Sequence, residues 1–193
     1  MRKTIALALG ASCLLASANP VTQKASYQVI PLPQAITEQQ GTPFVLSAYT
    51  VIAYPEGNNK LKRNAELLAG YIFNLTGTQL PVVSNAPKTN AIVLKDDLKS
   101  DNSEAYNLTI TPELITINGA SPAGNFYGCQ TLRKSIPEQK VGLVEFPCVS
   151  ISDQPRFAYR GAHFDVSRHF FPVDSVKAFI DMIALHNINK FHW

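Results

Sequence analysis

The sequence predicts an α+β domain, a sheet with two helices on one face, followed by a single β-α-β unit. Short apolar runs and two amphipathic helical segments follow one another in mixed order between residues 27 and 153. After Pro155 the character changes, and residues 157–193 have the pattern of a strand, a helix and a second strand, with Arg, His and Asp crowded at the first strand. Because one β-α-β unit is rarely a finished domain, we expect this segment to open an active-site domain.

Residues 1–18 have the pattern of a signal peptide. Arg2 and Lys3 form a basic start, the apolar run of residues 5–15 is too short for a membrane span, and Ala16-Ser17-Ala18 fits the small-x-small cleavage rule. A buried N-terminal element is the structural alternative. Lipid anchoring at Cys13 is less favoured, since the usual aliphatic residue three positions upstream is missing. We expect a periplasmic or secreted protein, with residues 19–26 as a flexible leader.

The composition excludes several classes of protein. Hydrophobic residues make up 46% of the chain and charged residues 16%, which is the opposite of a disordered sequence. Loss of Arg2 and Lys3 with the signal peptide would reduce the 17 basic residues by two, against 14 acidic residues, so the net charge would be +1. No basic stripe is present, which argues against a nucleic-acid partner.

The α+β domain is assigned to residues 27–153. Leucine and isoleucine at three- and four-residue spacing predict a helix over residues 58–76 that ends at Gly77, and a second helix covers residues 121–135. Both helices must lie on one face of the sheet to bury their apolar stripes. Predicted strands cover residues 27–30, 44–46, 51–54, 80–83, 91–94, 106–110, 114–117 and 148–151.

This first domain shows no cluster of catalytic or ligand-binding residues. Two cysteines remain after the signal peptide, Cys129 and Cys148, and either a disulfide or two free thiols fits the sequence. No C-x-x-C or H-E-x-x-H spacing occurs, so we predict no metal and no cofactor. A supporting domain is the better interpretation of residues 27–153.

Polar residues gather at the first strand of the second segment. Residues 161–166 alternate, with Gly161, His163 and Asp165 on one face, whereas a central parallel strand is normally apolar on both. Burying such groups is costly unless they are paired, so the cluster indicates a polar network or a ligand site. A helix begins near Pro172, with Val173, Val176, Ile180 and Ile183 as its buried stripe, and a second strand begins at residue 188.

The best candidates lie where a parallel strand ends, since barrel active sites form at the carboxyl ends of strands. These candidates are Asp165, Ser167, Arg168 and His169. Each has a structural alternative: Arg168 as an ion-pair partner of Asp165, and His169 as a hydrogen-bonded packing residue. Arg160 offers planar, paired donors that suit vicinal hydroxyls. Residues assigned to packing or structure are His163, His186, His192, Phe170 and Phe171.

The second segment resembles the family 20 glycoside hydrolases, the β-N-acetylhexosaminidases. Their barrel begins with a motif like R-G-x-x-x-D-V-S-R-H-F-x-P and continues to a strand F-H-W-H-L-x-D-D, matched here by Arg160-Gly161, residues 165–170, Pro172 and residues 191–193. The upstream region is also similar, at P-L-P near residue 32 and at G-x-Q-T-L over residues 128–132. The resemblance implies that residues 157–193 are the first β-α-β unit of a truncated (β/α)8 TIM barrel.

The same resemblance implies a reaction and roles for residues. The family removes terminal GlcNAc or GalNAc from glycans with retention, using the substrate's own acetamido group and a neighbouring Asp-Glu pair. It implies that Arg160 binds sugar hydroxyls, and that Asp165, Arg168 and His169 support the pocket. The Asp-Glu pair is absent from this sequence, so we assign no catalytic residue. We expect the chain alone to be inactive, and its last 35 residues to be poorly stable without the remainder of the barrel.

Two other function classes stay open at this point. A non-catalytic module for structure or carbohydrate interaction is the main alternative, because α+β domains of this kind precede barrels of varied chemistry. An intact small lectin fits less well, since residues 25–152 show no aromatic sugar platform. The segment of residues 165–170 belongs to the barrel and favours the enzyme.

Overall fold

The computed structural model describes residues 22–137 and 143–193, and the predicted signal peptide lies outside them. Three helices are present in the described residues: α1 (Asn59–Thr76), α2 (Pro122–Ser135) and α3 (Val173–Leu185). The strands are β1 (Thr22–Lys24), β2 (Ala35–Glu38), β3 (Phe44–Leu46), β4 (Val51–Tyr54), β5 (Val82–Ser84), β6 (Ala91–Lys95), β7 (Tyr106–Ile110), β8 (Leu114–Gly119), β9 (Leu143–Phe146), β10 (Val149–Asp153), β11 (Gly161–His163) and β12 (Lys190–His192).

A seven-stranded mixed sheet forms the framework, in the order β2-β10-β7-β8-β6-β4-β5. The pairings among β8, β6, β4 and β5 are parallel, and those among β2, β10, β7 and β8 are antiparallel. A smaller sheet has the order β1-β9-β3. Helices α1 and α2 contact each other and both contact strands of the large sheet. The predicted α+β class is therefore confirmed.

Helix α1 follows its sequence signals closely. The Asn58 side chain accepts a hydrogen bond of 3.1 Å from the Leu61 N–H, which caps the first turn. Gly77 ends the helix in the left-handed region at φ 74°, where a glycine has no steric penalty. Burying each leucine or isoleucine of the stripe contributes about 1.5–3 kcal/mol. The fully buried residues are Leu61, Ala65, Leu68 and Ile72.

Two glycines of α2 leave no room for a Cβ between this helix and the sheet. A Cβ at Gly128 would collide with the Ile117 side chain and lie 3.1 Å from the Tyr106 ring. A Cβ at Gly124 would collide with the carbonyl of Ala105. Glycine at these positions therefore permits the contact between α2 and strands β7 and β8.

A buried amide joins both helices to the sheet. The Asn125 side chain donates to the carbonyls of Lys95 and Ile117, each at 3.0 Å, and its Oδ1 accepts from Asn64 of α1 at 3.0 Å. Asn125 is fully buried. Because an unsatisfied buried amide costs about 1–3 kcal/mol, these three bonds specify how α1, α2 and the sheet fit together.

Residues 161–192 form a β-α-β unit in which β11 and β12 are parallel. The register pairs Gly161 with Lys190 and His163 with His192. Strand β11 is shorter than predicted, since it ends at residue 163 and not at residue 166. The predicted stripe of α3 is only half right: Val176 and Ile183 are buried, whereas Val173 and Ile180 are 67% and 42% exposed.

An aromatic cluster holds α3 against the two short strands. The Phe164 ring stacks on Phe179 with centroids 4.5 Å apart and lies 4.6 Å from Phe171. Phe191 of β12 adds contacts with Phe179 at 5.8 Å and with Trp193 at 6.2 Å. Aromatic pairs of this kind contribute about 0.5–1.5 kcal/mol beyond their buried area. Phe171 is therefore a packing residue as predicted, but Phe170 is 91% exposed, so its assignment to the core was wrong.

Several sequence assignments need correction. Residues 27–30 were predicted as a strand and form no regular element. Residues 22–24 belong to the predicted leader but form β1, because their backbone pairs in parallel with residues 143–145 of β9. The predicted strand of residues 80–83 lies at Val82–Ser84. Strand β2 was not predicted; it pairs with β10.

The two cysteines within the described residues are separate, buried free thiols. The Cys148 sulfur lies 3.2 Å from the Thr42 carbonyl, and the Cys129 sulfur lies 3.7 Å from the Asn125 side-chain oxygen. Burial raises the pKa of Cys129 above its ordinary value, which keeps this sulfur protonated. The structure thus supports the free-thiol alternative.

Candidate functional site

Arg160 lies directly before β11, and all five of its guanidinium N–H groups are used. Its Nη1 and Nη2 donate to the two carboxylate oxygens of Glu104 at 2.9 and 3.1 Å. Nη1 also donates to the Phe157 carbonyl at 2.8 Å, and Nη2 to the Tyr127 hydroxyl at 3.0 Å. Nε donates to the Asn187 carbonyl at 2.7 Å. An arginine carries five donors, so this fork is saturated by the protein.

Glu104 is the centre of this network, in the loop between β6 and β7. Its Oε1 also accepts from the Tyr127 hydroxyl at 3.0 Å and from the Asn189 side chain at 3.2 Å. The hydrogen bonds from Arg160 hold the pKa of Glu104 below its usual value, against the effect of burial, and those from Asn189 and Tyr127 lower it further. Glu104 is therefore a carboxylate at neutral pH.

Tyr127 of α2 completes the network from the side of the first domain. Burial, together with its hydrogen bond to Glu104, raises the pKa of Tyr127 to about 12. The phenol therefore keeps its proton, donates it to Glu104 and accepts from Arg160. Two residues of the first domain thus bind one arginine of the β-α-β unit, and the side chains of Arg160 and Glu104 are only 15% and 19% exposed.

The backbone of Arg160 also joins β11 to β12. Its N–H donates to the Asn189 side chain at 3.1 Å, and its carbonyl accepts from the N–H groups of Asn189 and Lys190 at 2.9 and 3.0 Å. Asn187 forms the turn before β12 in the left-handed region, at φ 60°. Arg160 therefore links Glu104 of the first domain to the pairing of β11 with β12.

The other predicted site residues follow β11. The Asp165 carboxylate accepts from the Ser167 N–H at 2.9 Å, and its second oxygen lies 3.7 Å from the Arg168 Nε. The Arg168 and Asp165 side chains are 86% and 45% exposed, and His169 is exposed. The predicted pairing of Arg168 with Asp165 is thus present, as a loose surface contact.

The structure does not bring the predicted site residues into one cluster. Arg160 precedes β11 and is turned toward the first domain, whereas Asp165, Arg168 and His169 follow the other end of the strand. The role of Arg160 in sugar binding stays a prediction. In the structure, every N–H group of its guanidinium already donates to an acceptor in the protein.

Family models match both parts of the chain. Glycosyl hydrolase family 20, domain 2, matches residues 26–154, and the catalytic domain of glycosyl hydrolase family 20 matches residues 157–193. The chain belongs to glycosyl hydrolase family 20. Its characterised relatives agree: a beta-N-acetylhexosaminidase of Cellulomonas fimi is 33% identical over 167 residues, and a beta-hexosaminidase of Porphyromonas gingivalis is 35% identical over 173 residues.

Solved structures of family 20 proteins share the fold. A beta-N-acetylhexosaminidase from Streptomyces coelicolor superposes with a TM-score of 0.75 at 36% identity, over 85% of this chain and 34% of that one. A mutant beta-hexosaminidase of Streptomyces plicatus in complex with GlcNAc superposes with a TM-score of 0.72 at 32% identity, over 91% of this chain and 35% of that one. The alignment with the Cellulomonas fimi protein covers 85% of this chain and 33% of that protein. The alignment with the Porphyromonas gingivalis protein covers 86% of this chain and 22% of that protein. The chain therefore spans about a third or less of these relatives.

Two negative findings concern the described part of this family 20 chain. Residues 22–137 and 143–193 contain no group of three or more His, Cys, Asp or Glu side chains arranged to hold a metal ion. Over the same ranges, no helix has both the length and the apolar character needed to cross a membrane.

Sequence reasoning missed Glu104, Tyr127 and Asn189 as partners of Arg160. Glu104 ends a polar loop and lies 56 residues before Arg160, so no periodicity connects them. Tyr127 lies within the helix predicted over residues 121–135, but no sequence pattern indicated that its hydroxyl binds Arg160. One signal was available for Asn189, since asparagine in a tight turn beside a strand commonly binds nearby backbone.

Proposed function

We propose that this chain is the N-terminal part of an exported β-N-acetylhexosaminidase that removes terminal, non-reducing GlcNAc or GalNAc from glycans with retention of configuration. The observation that carries the proposal is the family match on both sides of residue 155, since domain 2 alone would not specify barrel chemistry. The relatives named above are beta-hexosaminidases, and one solved relative holds GlcNAc.

In this proposal the β-α-β unit is the start of a (β/α)8 barrel. Its parallel pair β11 and β12 joined by α3 is the repeating unit of that architecture. Residues 165–169 follow the carboxyl end of β11, which is the active-site end of a barrel strand. The first domain then acts as the base against which this unit is oriented, through Glu104 and Tyr127.

In this proposal the two arginines have different roles, which the sequence alone did not suggest. A hydroxyl at Arg160 would have to replace an existing bond to Glu104, Tyr127 or a backbone carbonyl. Arg168 has an exposed guanidinium at the active-site end of β11 and a carboxylate beside it. The geometry therefore favours Arg168 for the sugar and Arg160 for the contact between domains.

The chain by itself is proposed to be inactive. The family's mechanism depends on an adjacent Asp-Glu pair, and the 193 residues contain no such dipeptide. The proposed reaction leaves the acetamido group of the substrate as the nucleophile, so residues 165–169 would orient the sugar and would not form a covalent bond to it.

The decisive experiment is to sequence the reading frame beyond the codon for Trp193 and express its whole product. We expect the frame to continue with an Asp-Glu pair and the product to release nitrophenol from a nitrophenyl N-acetylglucosaminide, whereas the 193-residue chain does not. A continued frame without that pair, or an inactive whole product, would reject the enzyme. Binding of chitin oligomers by the 193-residue chain, measured by calorimetry, would then favour the non-catalytic alternative.

Export is tested separately. Signal peptidase cleavage after Ala18 predicts a mature protein that begins at Asn19 in the periplasm or medium, which N-terminal sequencing identifies. A lipid-anchored protein that begins at Cys13 would instead favour the alternative considered above.

A further inference from the structure

Two histidines that the proposed function does not use face each other on neighbouring strands. His163 of β11 and His192 of β12 occupy paired positions, and their Nδ1 atoms lie 3.0 Å apart. The ring centroids are 4.6 Å apart with the planes at 53°. Both residues are exposed. Sequence reasoning assigned each to structure alone, because it did not consider the register that brings them together.

The backbone holds this pair in place. Strands β11 and β12 are parallel and in register through Gly161, Ala162 and His163, and the Phe164 N–H donates to the His192 carbonyl at 2.9 Å. On the other side, Phe164 and Phe191 pack with α3, as described above. The two imidazoles are therefore presented together by a supported pair of strands, which limits the entropy lost when both rings bind one ligand.

The separation of the two nitrogens suits a transition metal ion. Imidazole nitrogens bind such ions at about 2.0–2.1 Å, so two nitrogens 3.0 Å apart subtend an angle of roughly 90° at a shared ion. That is the cis angle of square-planar or octahedral coordination, and it is smaller than a tetrahedral angle. Square-planar and tetragonal nitrogen sites are typical of Cu²⁺ and Ni²⁺, and Cu²⁺ binds most tightly in the divalent series.

We propose that His163 and His192 form a two-histidine site for Cu²⁺ or Ni²⁺, with one Nδ1 from each ring and water in the remaining positions. Water is needed because the described residues offer no third ligand in a ready-made cluster. The nearby Asp165 carboxylate is already occupied, by the Ser167 N–H and by Arg168. The proposal does not depend on the proposed enzymatic function.

Metal binding replaces the hydrogen bond between the two Nδ1 atoms without a change in the number of protons on the two rings. In the neutral pair, one Nδ1 carries the proton that the other accepts. When the ion binds, that proton moves to Nε2 of the same ring, so both Nδ1 lone pairs become ligands and no proton is released. The bound ion would then bridge β11 and β12 and stabilise the unit that contains them.

The test uses the purified, untagged chain at neutral pH, with the whole product of the reading frame measured beside it, because residues 159–193 are expected to be poorly stable alone. Calorimetry with Ni²⁺ and electron paramagnetic resonance with Cu²⁺ should show one ion per chain, with two histidine nitrogens in the copper spectrum. His163→Asn and His192→Asn should each weaken binding by about ten-fold or more, since even losing a residue that only supports a ligand costs that much. The control is His186→Asn, which alters an exposed histidine at the end of α3 and should bind as the unaltered chain does.

Several outcomes would overturn the site. Binding that is unchanged in both His163→Asn and His192→Asn, or lost equally in His186→Asn, would place the ion elsewhere. If a variant unfolds, as shown by loss of its helical circular dichroism signal, the copper spectrum of the unaltered chain is the test. Fewer than two histidine nitrogens in that spectrum would reject the site. Failure of the chain to bind either ion would leave His163 and His192 as a hydrogen-bonded pair only.

Discussion

Arg160 and Glu104 form a two-pronged ion pair that joins the β-α-β unit to the first domain. Nη1 lies 2.9 Å from Oε2 and Nη2 lies 3.1 Å from Oε1, so both prongs have the geometry of strong, charge-assisted hydrogen bonds. The carboxylate comes from a loop and the guanidinium from the residue before β11. Together with the bonds from Arg160 to Tyr127 and from Asn189 to Glu104, this pair holds the strand that leads to residues 165–169 against the first domain.

Removal of the charge at position 104 should destabilise the chain. In Glu104→Gln the guanidinium of Arg160 stays mostly buried but loses its counter-ion, and breaking such a pair costs about 3 kcal/mol, the low end of the range for buried pairs. Urea unfolding followed by circular dichroism measures the loss. The matched control is Glu66→Gln, which removes an exposed pair with Lys62 at 3.9 Å and should cost about 0.5 kcal/mol or less. Equal losses in the two variants would show that the Arg160 contact does not stabilise the chain.

The same pair predicts a dependence of stability on pH. Hydrogen bonds from Arg160 lower the pKa of Glu104 in the folded chain. The contribution of Glu104 to the free energy of unfolding is therefore fully present above its pKa in the unfolded chain, about 4.3, and is lost as the pH falls through its pKa in the folded chain. The free-energy difference between the unaltered chain and Glu104→Gln should therefore shrink between pH 7 and about pH 3. Urea unfolding at each pH measures it, and a difference that stays constant would contradict the lowered pKa.

The two arginines should have separable effects in the whole enzyme, a prediction that depends on the proposed function. Arg168→Lys should raise KM about ten-fold or more with little change in unfolding free energy, because its pair with Asp165 is a loose surface contact. Arg160→Lys should lower the unfolding free energy by about 1–3 kcal/mol, since lysine lacks the planar fork and leaves buried acceptors of Glu104, Tyr127 and the backbone without donors. Hydrolysis of a nitrophenyl N-acetylglucosaminide and urea unfolding distinguish the two. The reverse pattern would restore the sugar-binding role predicted for Arg160 from the sequence.

Local signals were sufficient for some of the fold. The helix over residues 59–76 was predictable because its cap, its apolar stripe and its terminal Gly77 lie within one stretch of sequence. The hairpin of β7 and β8 was predictable for the same reason. Strands β1 and β9 were not, since Thr22 pairs with Leu143 and neither run has a strong strand pattern. Their pairing depends on tertiary contacts that no local window contains.

The candidate site shows the same limit. The motif identified which residues matter, but it did not indicate the direction of their side chains. Arg160 is turned toward Glu104 because an unusually complete set of acceptors is assembled there from a loop, a helix and a turn. Those acceptors extend in the sequence from Glu104, through Tyr127, to Asn187. Only the folded arrangement shows that the donors of Arg160 are already used.

The close approach of α2 to the sheet predicts opposite effects for two glycine substitutions. Gly128→Ala places a methyl group against the Ile117 and Tyr106 side chains in the core, and overpacking of this kind costs about 1–3 kcal/mol. Gly70→Ala lies on an exposed part of α1 with no atom within 4 Å of the new methyl group, and it should stabilise the chain by about 0.5–1 kcal/mol through helix propensity. Thermal and urea unfolding measure both changes. If Gly128→Ala were as stable as Gly70→Ala, α2 would not pack as closely on β7 and β8 as the structure shows.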